Sequence, residues 1–67
     1  MNKFKVRLKE LRQEKGIKQF DISKELKIPE STYSNWEQGR REPDINSLIV
    51  LAKFFNVTVG YLVGAED

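Results

Sequence analysis

The segment ESTYSNWEQGRR, residues 30–41, concentrates side chains that form directional hydrogen bonds. If the segment is helical, Tyr33 and Trp36 share one face, which we expect to be buried in the core. The opposite face then presents a carboxylate, two hydroxyls and an amide, on Glu30, Ser31, Ser34 and Asn35. These groups suit the base edges of the DNA major groove, since asparagine pairs with adenine, a carboxylate accepts from cytosine, and serine suits several bases. The segment therefore predicts a helix that reads a polar surface.

Other kinds of chemistry lack their usual residues. The 67-residue chain contains no cysteine and no histidine, which removes disulfides, the common zinc sites, thiol nucleophiles and the commonest general base. Its carboxylates lie on charged amphipathic segments, with no pair near a plausible pocket. We therefore expect no enzyme activity, no metal and no cofactor. No apolar run reaches the ~18 residues of a membrane span and the N-terminus is too charged for a secretory signal, so we expect a cytoplasmic protein.

The charge is distributed unevenly along the chain. Residues 1–27 hold nine Lys and Arg against four Asp and Glu, whereas residues 28–67 hold three against six. The two balances, +5 and −3, sum to the net charge of +2. This asymmetry favours an anionic partner for one face. An ordinary solvated face is the simpler interpretation of four N-terminal lysines, Lys3, Lys5, Lys9 and Lys15.

Hydrophobic spacing predicts five short helices around one core and no strands. Phe4, Leu8 and Leu11 follow the helical repeat, and Gly16 suits a helix end. Asp44 suits an N-cap for a helix with core spacing at Ile45, Leu48, Leu51, Ala52 and Phe55. The expected helices span about 3–15, 19–26, 30–37, 45–55 and 59–63, and residues 64–67 form a tail or the start of a linker. We thus predict a single all-α domain over residues 1–67.

The second and third helices form a predicted helix-turn-helix unit. Each has about eight residues, and the break at Lys27-Ile28-Pro29 separates them because proline disfavours helical geometry in the residue before it. In such a unit the first helix braces on the phosphate backbone and the second offers polar side chains to base edges. The polar face of the third helix fits that role.

The whole pattern resembles the phage repressor and Cro type of helix-turn-helix domain, also called the xenobiotic-response-element family. The resemblance covers residues 7–64. It rests on LKELR at 8–12, GIKQ at 16–19, WEQGR at 36–40 with Pro43, and VTVGYL at 57–62. Each motif alone is weak, but together, in this order and spacing, they are specific.

The resemblance implies a role for each matching position. The base-reading positions correspond to Glu30, Ser31, Ser34 and Asn35. Phosphate contacts fall on the start of the second helix and on the loop after the third, at Lys18, Gln19, Gln38, Gly39, Arg40 and Arg41, with backbone amides of Gly39 and Arg40 included. Arg12 and Glu37 match a pair that braces the first helix against the end of the third; an ordinary exposed ion pair is the alternative.

The sequence departs from the family pattern at several positions. Lys27 stands where glycine is usual, so we expect a left-handed conformation there. Ser23 replaces the usual alanine between the two helices, and Pro29 replaces a capping Ser or Thr. Phe20 occupies a usually polar position, where it either packs against the first helix or lies partly exposed.

The expected function is sequence-specific binding of double-stranded DNA by a transcriptional regulator, most readily a repressor. A homodimer on an inverted-repeat operator is the expected species, with Val59, Tyr61 and Val63 as candidate dimer surface unless they complete the core. The alternatives are an antitoxin of a toxin–antitoxin pair and a helical protein-interaction module without DNA function. A bacterial or phage origin, association with the nucleoid on the operator, and a C-terminal sensor domain or protein ligand outside this chain are further expectations.

Overall fold

A computed structural model describes residues 3–67, and this part of the chain forms five α-helices. These are α1 (Phe4–Lys15), α2 (Gln19–Leu26), α3 (Glu30–Gln38), α4 (Ile45–Phe55) and α5 (Val59–Val63). The predicted all-α, five-helix fold is confirmed. Two bounds differ by one residue, because Lys3 precedes α1 as its N-cap and α3 continues through Gln38. Residues 1 and 2 of the predicted domain lie outside the described residues.

Local signals in the sequence end and begin these helices. The N-cap carboxylate of Asp44 accepts a hydrogen bond from the Ser47 amide at 2.8 Å, and the Thr58 hydroxyl accepts one from the Tyr61 amide at 2.9 Å. Each cap satisfies a backbone N–H that the first helical turn leaves without a partner. At the other end of α4, Asn56 takes the left-handed conformation with φ 58°. Capping therefore fixes both α4 and the start of α5.

The core is formed by one apolar stripe from each helix. Its buried members are Phe4, Leu8, Ile22, Tyr33, Trp36, Leu48, Leu51, Ala52, Phe55 and Leu62. Tyr33 and Trp36, predicted to lie inside, pack edge to face with ring centroids 6.1 Å apart. Leu11 and Leu26 are only partly buried against this cluster. The burial of Tyr33 and Trp36 directs the opposite face of α3 outward.

Ile45 corrects one expectation about the core. Its spacing from Leu48 and Ala52 predicts burial, but its side chain is 74% exposed. Ile45 is the first residue of α4, and helical side chains lean toward the N-terminus of their helix. The Ile45 side chain therefore points past the end of the core instead of into it.

The turn between α2 and α3 relies on Lys27 and Ser23. Lys27 adopts the expected left-handed conformation, with φ 58° and ψ 44°. Ser23 is 2% exposed, and its hydroxyl donates to the Phe20 carbonyl at 2.7 Å, so a small polar residue is accommodated between the helices. Phe20 itself is 53% exposed, with the Lys24 ammonium 5.4 Å from its ring centroid. Of the two alternatives for Phe20, the structure therefore shows the partly exposed side chain.

Candidate nucleic-acid interface

The outer face of α3 carries the four side chains expected to read bases. Glu30 and Ser31 are exposed, and Ser34 and Asn35 are half-buried. The Ser34 hydroxyl accepts a hydrogen bond from the Gln38 side-chain amide at 3.0 Å. All four side chains are therefore accessible on one helix, and Glu30 and Ser31 in its first turn are the most exposed.

A cleft of about 350 Å³ lies beside this helix. Thr32, Asn35, Trp36, Arg41 and Glu42 line it. Thr32 is not among the predicted contacts, because helical spacing places it next to the buried face. Asn35, one of the residues expected to read bases, therefore lines the same concave surface as Arg41.

The loop after α3 is held by its own backbone. Gly39 has φ 78°, and its amide donates to the Trp36 carbonyl at 3.3 Å. The Arg40 and Arg41 amides both donate to the Asn35 carbonyl, at 3.0 and 3.4 Å. The end of α3 already uses the Gly39 and Arg40 amides as donors, and the phosphate contacts expected of these two amides stay a prediction. The exposed Arg40 and Arg41 side chains are further phosphate-binding candidates of this loop.

Lys5 joins this loop from a distant part of the sequence. Its side chain crosses Gly39 so closely that a β-carbon on Gly39 would lie 2.8 Å from Lys5 Cδ and 3.5 Å from Nζ. The ammonium group therefore adds to the positive charge around Arg40 and Arg41. The sequence by itself indicates a solvated face for Lys5, and no local signal links this residue to residue 39.

The N-terminus of α2 presents a second group of donors. Lys18 is exposed and extended, and its backbone amide donates to the Asp21 carboxylate at 3.1 Å. A lysine side chain cannot accept hydrogen bonds from the first amides of α2, and a helix N-terminus favours anions. Gln19, also predicted to contact phosphate, donates from its side chain to Glu37 Oε1 at 3.1 Å. Gln19 therefore joins this helix end to the end of α3.

A polar network ties three helices together behind the reading face. Arg12 binds Glu37 through two hydrogen bonds, from Nε to Oε2 at 2.6 Å and from Nη2 to Oε1 at 3.2 Å. Arg12 Nη1 also donates to the Ile17 carbonyl at 3.0 Å. With Gln19, the network joins α1, the start of α2 and the end of α3. Both predicted members of the brace are thus in direct contact; that they orient the interface stays a prediction.

Burial and pairing shift the pKa values in this network. Burial alone would raise the pKa of the Glu37 carboxyl, but hydrogen bonds from Arg12 and Gln19 to its charged form outweigh burial and hold that pKa below its usual value. The hydrogen bond to Glu37 raises the pKa of the Arg12 guanidinium. Burial, together with the neighbouring Glu37 carboxylate, raises the pKa of the Tyr33 phenol. Glu37 is therefore charged at neutral pH, and Tyr33 is protonated.

The candidate dimer residues on α5 are mostly occupied within the chain. Val59 and Val63 are half-buried and pack against the core. The Arg7 guanidinium lies 4.2 Å from the Tyr61 ring centroid and donates to the Tyr61 carbonyl. The apolar surface that α5 offers to a partner is therefore small.

Residues 3–67 contain neither a membrane-spanning helix nor a metal-binding cluster. No helix there is long and apolar enough to cross a membrane. No cluster of three acidic, cysteine or histidine side chains there could hold a metal ion.

Comparison with known proteins identifies the family. A family model described as helix-turn-helix matches residues 8–62. The transcriptional regulator ImmR of Bacillus subtilis (strain 168) is 38% identical over 61 residues, which cover 91% of this chain and 48% of ImmR. The transcriptional activator BcrR of Enterococcus faecalis is 33% identical over 64 residues, covering 96% of this chain and 31% of BcrR.

A phage protein is also similar to this chain. The cryptic phage CTXphi transcriptional repressor RstR of Vibrio cholerae is 28% identical over 64 residues, covering 96% of this chain and 58% of RstR. The chain thus spans between about a third and somewhat over half of these relatives. The chain belongs to the helix-turn-helix family of DNA-binding transcriptional regulators, of the phage repressor and Cro type.

Proposed function

We propose that this chain binds a specific double-stranded DNA sequence through α3 and does so as a two-fold dimer on an inverted repeat. The observation that carries this proposal is the arrangement on α3, where Glu30, Ser31 and Asn35 lie outward from a buried Tyr33–Trp36 pair. Phosphate-binding candidates flank them on both sides, at Lys18 and at the loop after α3. This arrangement matches a helix seated in the major groove between two phosphate contacts.

The brace gives α3 a fixed orientation for this task. Glu37 is 8% exposed and bound by Arg12 and Gln19, so the last turn of α3 cannot move independently of α1 and α2. Base recognition depends on hydrogen-bond geometry, which a rigid support preserves. The network therefore supports specificity without contacting a base.

Repression is the regulatory direction that we propose, by analogy with the phage repressor RstR. The activator BcrR shows that relatives of this chain also include the opposite activity. Because the relatives extend beyond the matched segment, we further propose that a sensor domain or protein ligand outside this chain supplies the regulatory signal. We propose the cytoplasm, and the nucleoid when the operator is bound, as the location.

The proposal is tested by selection from a random duplex library with the purified chain, followed by sequencing. We expect an enriched inverted repeat with half-sites about one helical turn apart, ~34 Å. An enriched single half-site would support base reading but contradict the dimer. No enrichment at low salt would overturn the DNA proposal, and the protein-interaction alternative would replace it.

Salt dependence separates DNA binding from that alternative. Each phosphate neutralised by a cationic side chain releases counterions, so the affinity should fall steeply with salt concentration. An affinity for duplex DNA that is unchanged between low and physiological salt would contradict the phosphate contacts at Arg40 and Arg41.

A further inference from the structure

The outer face of α4 carries apolar side chains that nothing in residues 3–67 covers. Five large hydrophobic residues are exposed in the described chain, and three lie on this helix: Ile45 (74%), Ile49 (40%) and Val50 (48%). The other two, Val6 and Phe20, lie singly on α1 and α2. Single exposed hydrophobic residues are ordinary, whereas three on one helix are a candidate interaction surface.

The three residues lie on one side of α4. At 3.6 residues per turn, Ile45, Ile49 and Val50 span roughly 140° of the helix surface. Asn46 and Lys53 lie between them and are exposed as well. We name this set of five residues the α4 face. A shallow apolar cleft of about 140 Å³ borders it at Val50, between α4 and the α2–α3 turn.

We propose that the α4 face binds a second copy of this chain and forms the two-fold contact of the DNA-bound dimer. This inference rests on the proposed function, which requires a dimer on an inverted repeat. It also moves the dimer contact away from α5, because Val59 and Val63 pack on the core and Arg7 covers the Tyr61 ring.

The charges of α4 favour a second copy as the occupant. An isologous interface must be complementary to itself. The helix has one acidic group at its N-terminal end, Asp44, and one basic group in its last turn, Lys53. If two α4 helices pack antiparallel with Ile49 on the two-fold axis, Ile45 lies opposite Lys53 of the second copy. The ammonium of that Lys53 then reaches the Asp44 carboxylate, and its aliphatic stem covers Ile45.

The position of α4 agrees with a contact made on DNA. Six residues, 39–44, separate the end of α3 from the start of α4, and they include Arg40 and Arg41. A contact at the start of α4 therefore lies next to the proposed phosphate-binding loop, where two copies on adjacent half-sites would meet.

The size of the α4 face sets the strength of the contact. An 11-residue helix is ~16 Å long and ~10 Å wide. Its face is therefore much smaller than the ~800 Å² per partner of a stable interface. We thus expect a chain that is monomeric when free and dimerises on a duplex that holds both copies in register.

Disulfide trapping tests the contact, since the chain has no native cysteine. Facing Cα atoms of packed antiparallel helices lie ~3.5–5.5 Å apart, for axes ~8–10 Å apart, which overlaps the range for a disulfide. The Ile49→Cys variant, mixed with the inverted-repeat duplex from the selection and oxidised with copper phenanthroline, should yield at least ~10 times more linked dimer than Val6→Cys. Val6→Cys is the matched control, and Val63→Cys reports on α5.

The outcomes separate this inference from the DNA proposal. Duplex binding by each variant is measured first, and failure of the unmodified chain to bind any duplex specifically overturns the proposed function. Specific binding with no excess of linked Ile49→Cys dimer over Val6→Cys overturns the α4 contact alone. Preferential linking of Val63→Cys, or one chain per inverted repeat, also overturns it.

A charge-swap experiment is independent of disulfide geometry. In the proposed contact, Ile49 faces Ile49 of the second copy, so a charge at this position meets a like charge. Ile49→Glu and Ile49→Arg should therefore each weaken binding to the inverted repeat ~10-fold beyond their effect on a single half-site. An equimolar mixture should recover most of that loss by forming the opposite-charge pair. The same substitutions at Val6 control for general charge effects. A mixture that behaves as the average of its components overturns the proposal.

Discussion

Replacing Glu37 with glutamine should destabilise the domain, because it removes the only anion from a network that holds a cation. The Arg12 side chain is 14% exposed and the Glu37 side chain 3%, so solvent compensates little for a lost partner. Breaking a buried ion pair from one side costs about 3–5 kcal/mol. The glutamine oxygen still accepts a hydrogen bond, and Arg12 keeps its bond to the Ile17 carbonyl. We therefore expect a loss of about 2 kcal/mol.

That loss is large for a domain of this size. A chain of 67 residues has an unfolding free energy of roughly 3–10 kcal/mol, at about 0.05–0.15 kcal/mol per residue. A change of about 2 kcal/mol lowers the melting temperature by roughly 8–16 °C. Urea titration followed by the fluorescence of Trp36, which is buried, measures the difference, and Glu10→Gln on the exposed surface of α1 is the matched control.

The pH dependence gives this prediction a second, independent observable. The Glu37 pKa is lower in the folded chain than its unfolded value of about 4.3. Its contribution to stability is therefore complete above that unfolded value and is lost as the pH falls through the folded pKa. The stabilities of the native chain and Glu37→Gln should converge on acidification. A difference under ~0.5 kcal/mol at pH 7, typical of an ordinary surface substitution, or a gap unchanged at strongly acidic pH, would refute the reasoning.

Three further predictions concern the interface and the turn. Asn35→Ala should lose about 1–3 kcal/mol on the selected site and relax the preference at one base pair; equal losses on selected and scrambled duplexes would remove Asn35 from the reading residues. Arg40→Ala and Lys5→Ala should each flatten the slope of log affinity against log salt by about one unit, while Lys15→Ala, where the ammonium lies over the Phe54 ring, should not. A slope unchanged by Lys5→Ala would return that residue to the solvated face. Lys27→Gly should stabilise the domain by about 1 kcal/mol in urea titration, because glycine adopts the left-handed conformation without strain; a destabilised variant would contradict strain at this turn.

The sequence by itself determined the helices and most of the core. Helical spacing and capping residues act over three or four positions, so a local pattern predicts them: Asp44 begins a helix, and Gly16 ends one. The burial of Tyr33 and Trp36 followed from the same spacing and fixed the outward direction of the reading face. The Lys27 conformation was predicted because the family pattern has glycine there.

Only the tertiary structure decided which groups are free to act. Lys5 lies against Gly39, 34 positions along the chain, and Gln19 binds Glu37 across 18. Ile45 has core spacing yet is exposed, because α4 extends past the elements that could cover it. Local periodicity reports which side of a helix is apolar, whereas coverage and long-range hydrogen bonding depend on where other helices end in space. That is the physical reason why the sequence predicted the reading helix, while the α4 face and the Lys5 contact appeared only in the folded chain.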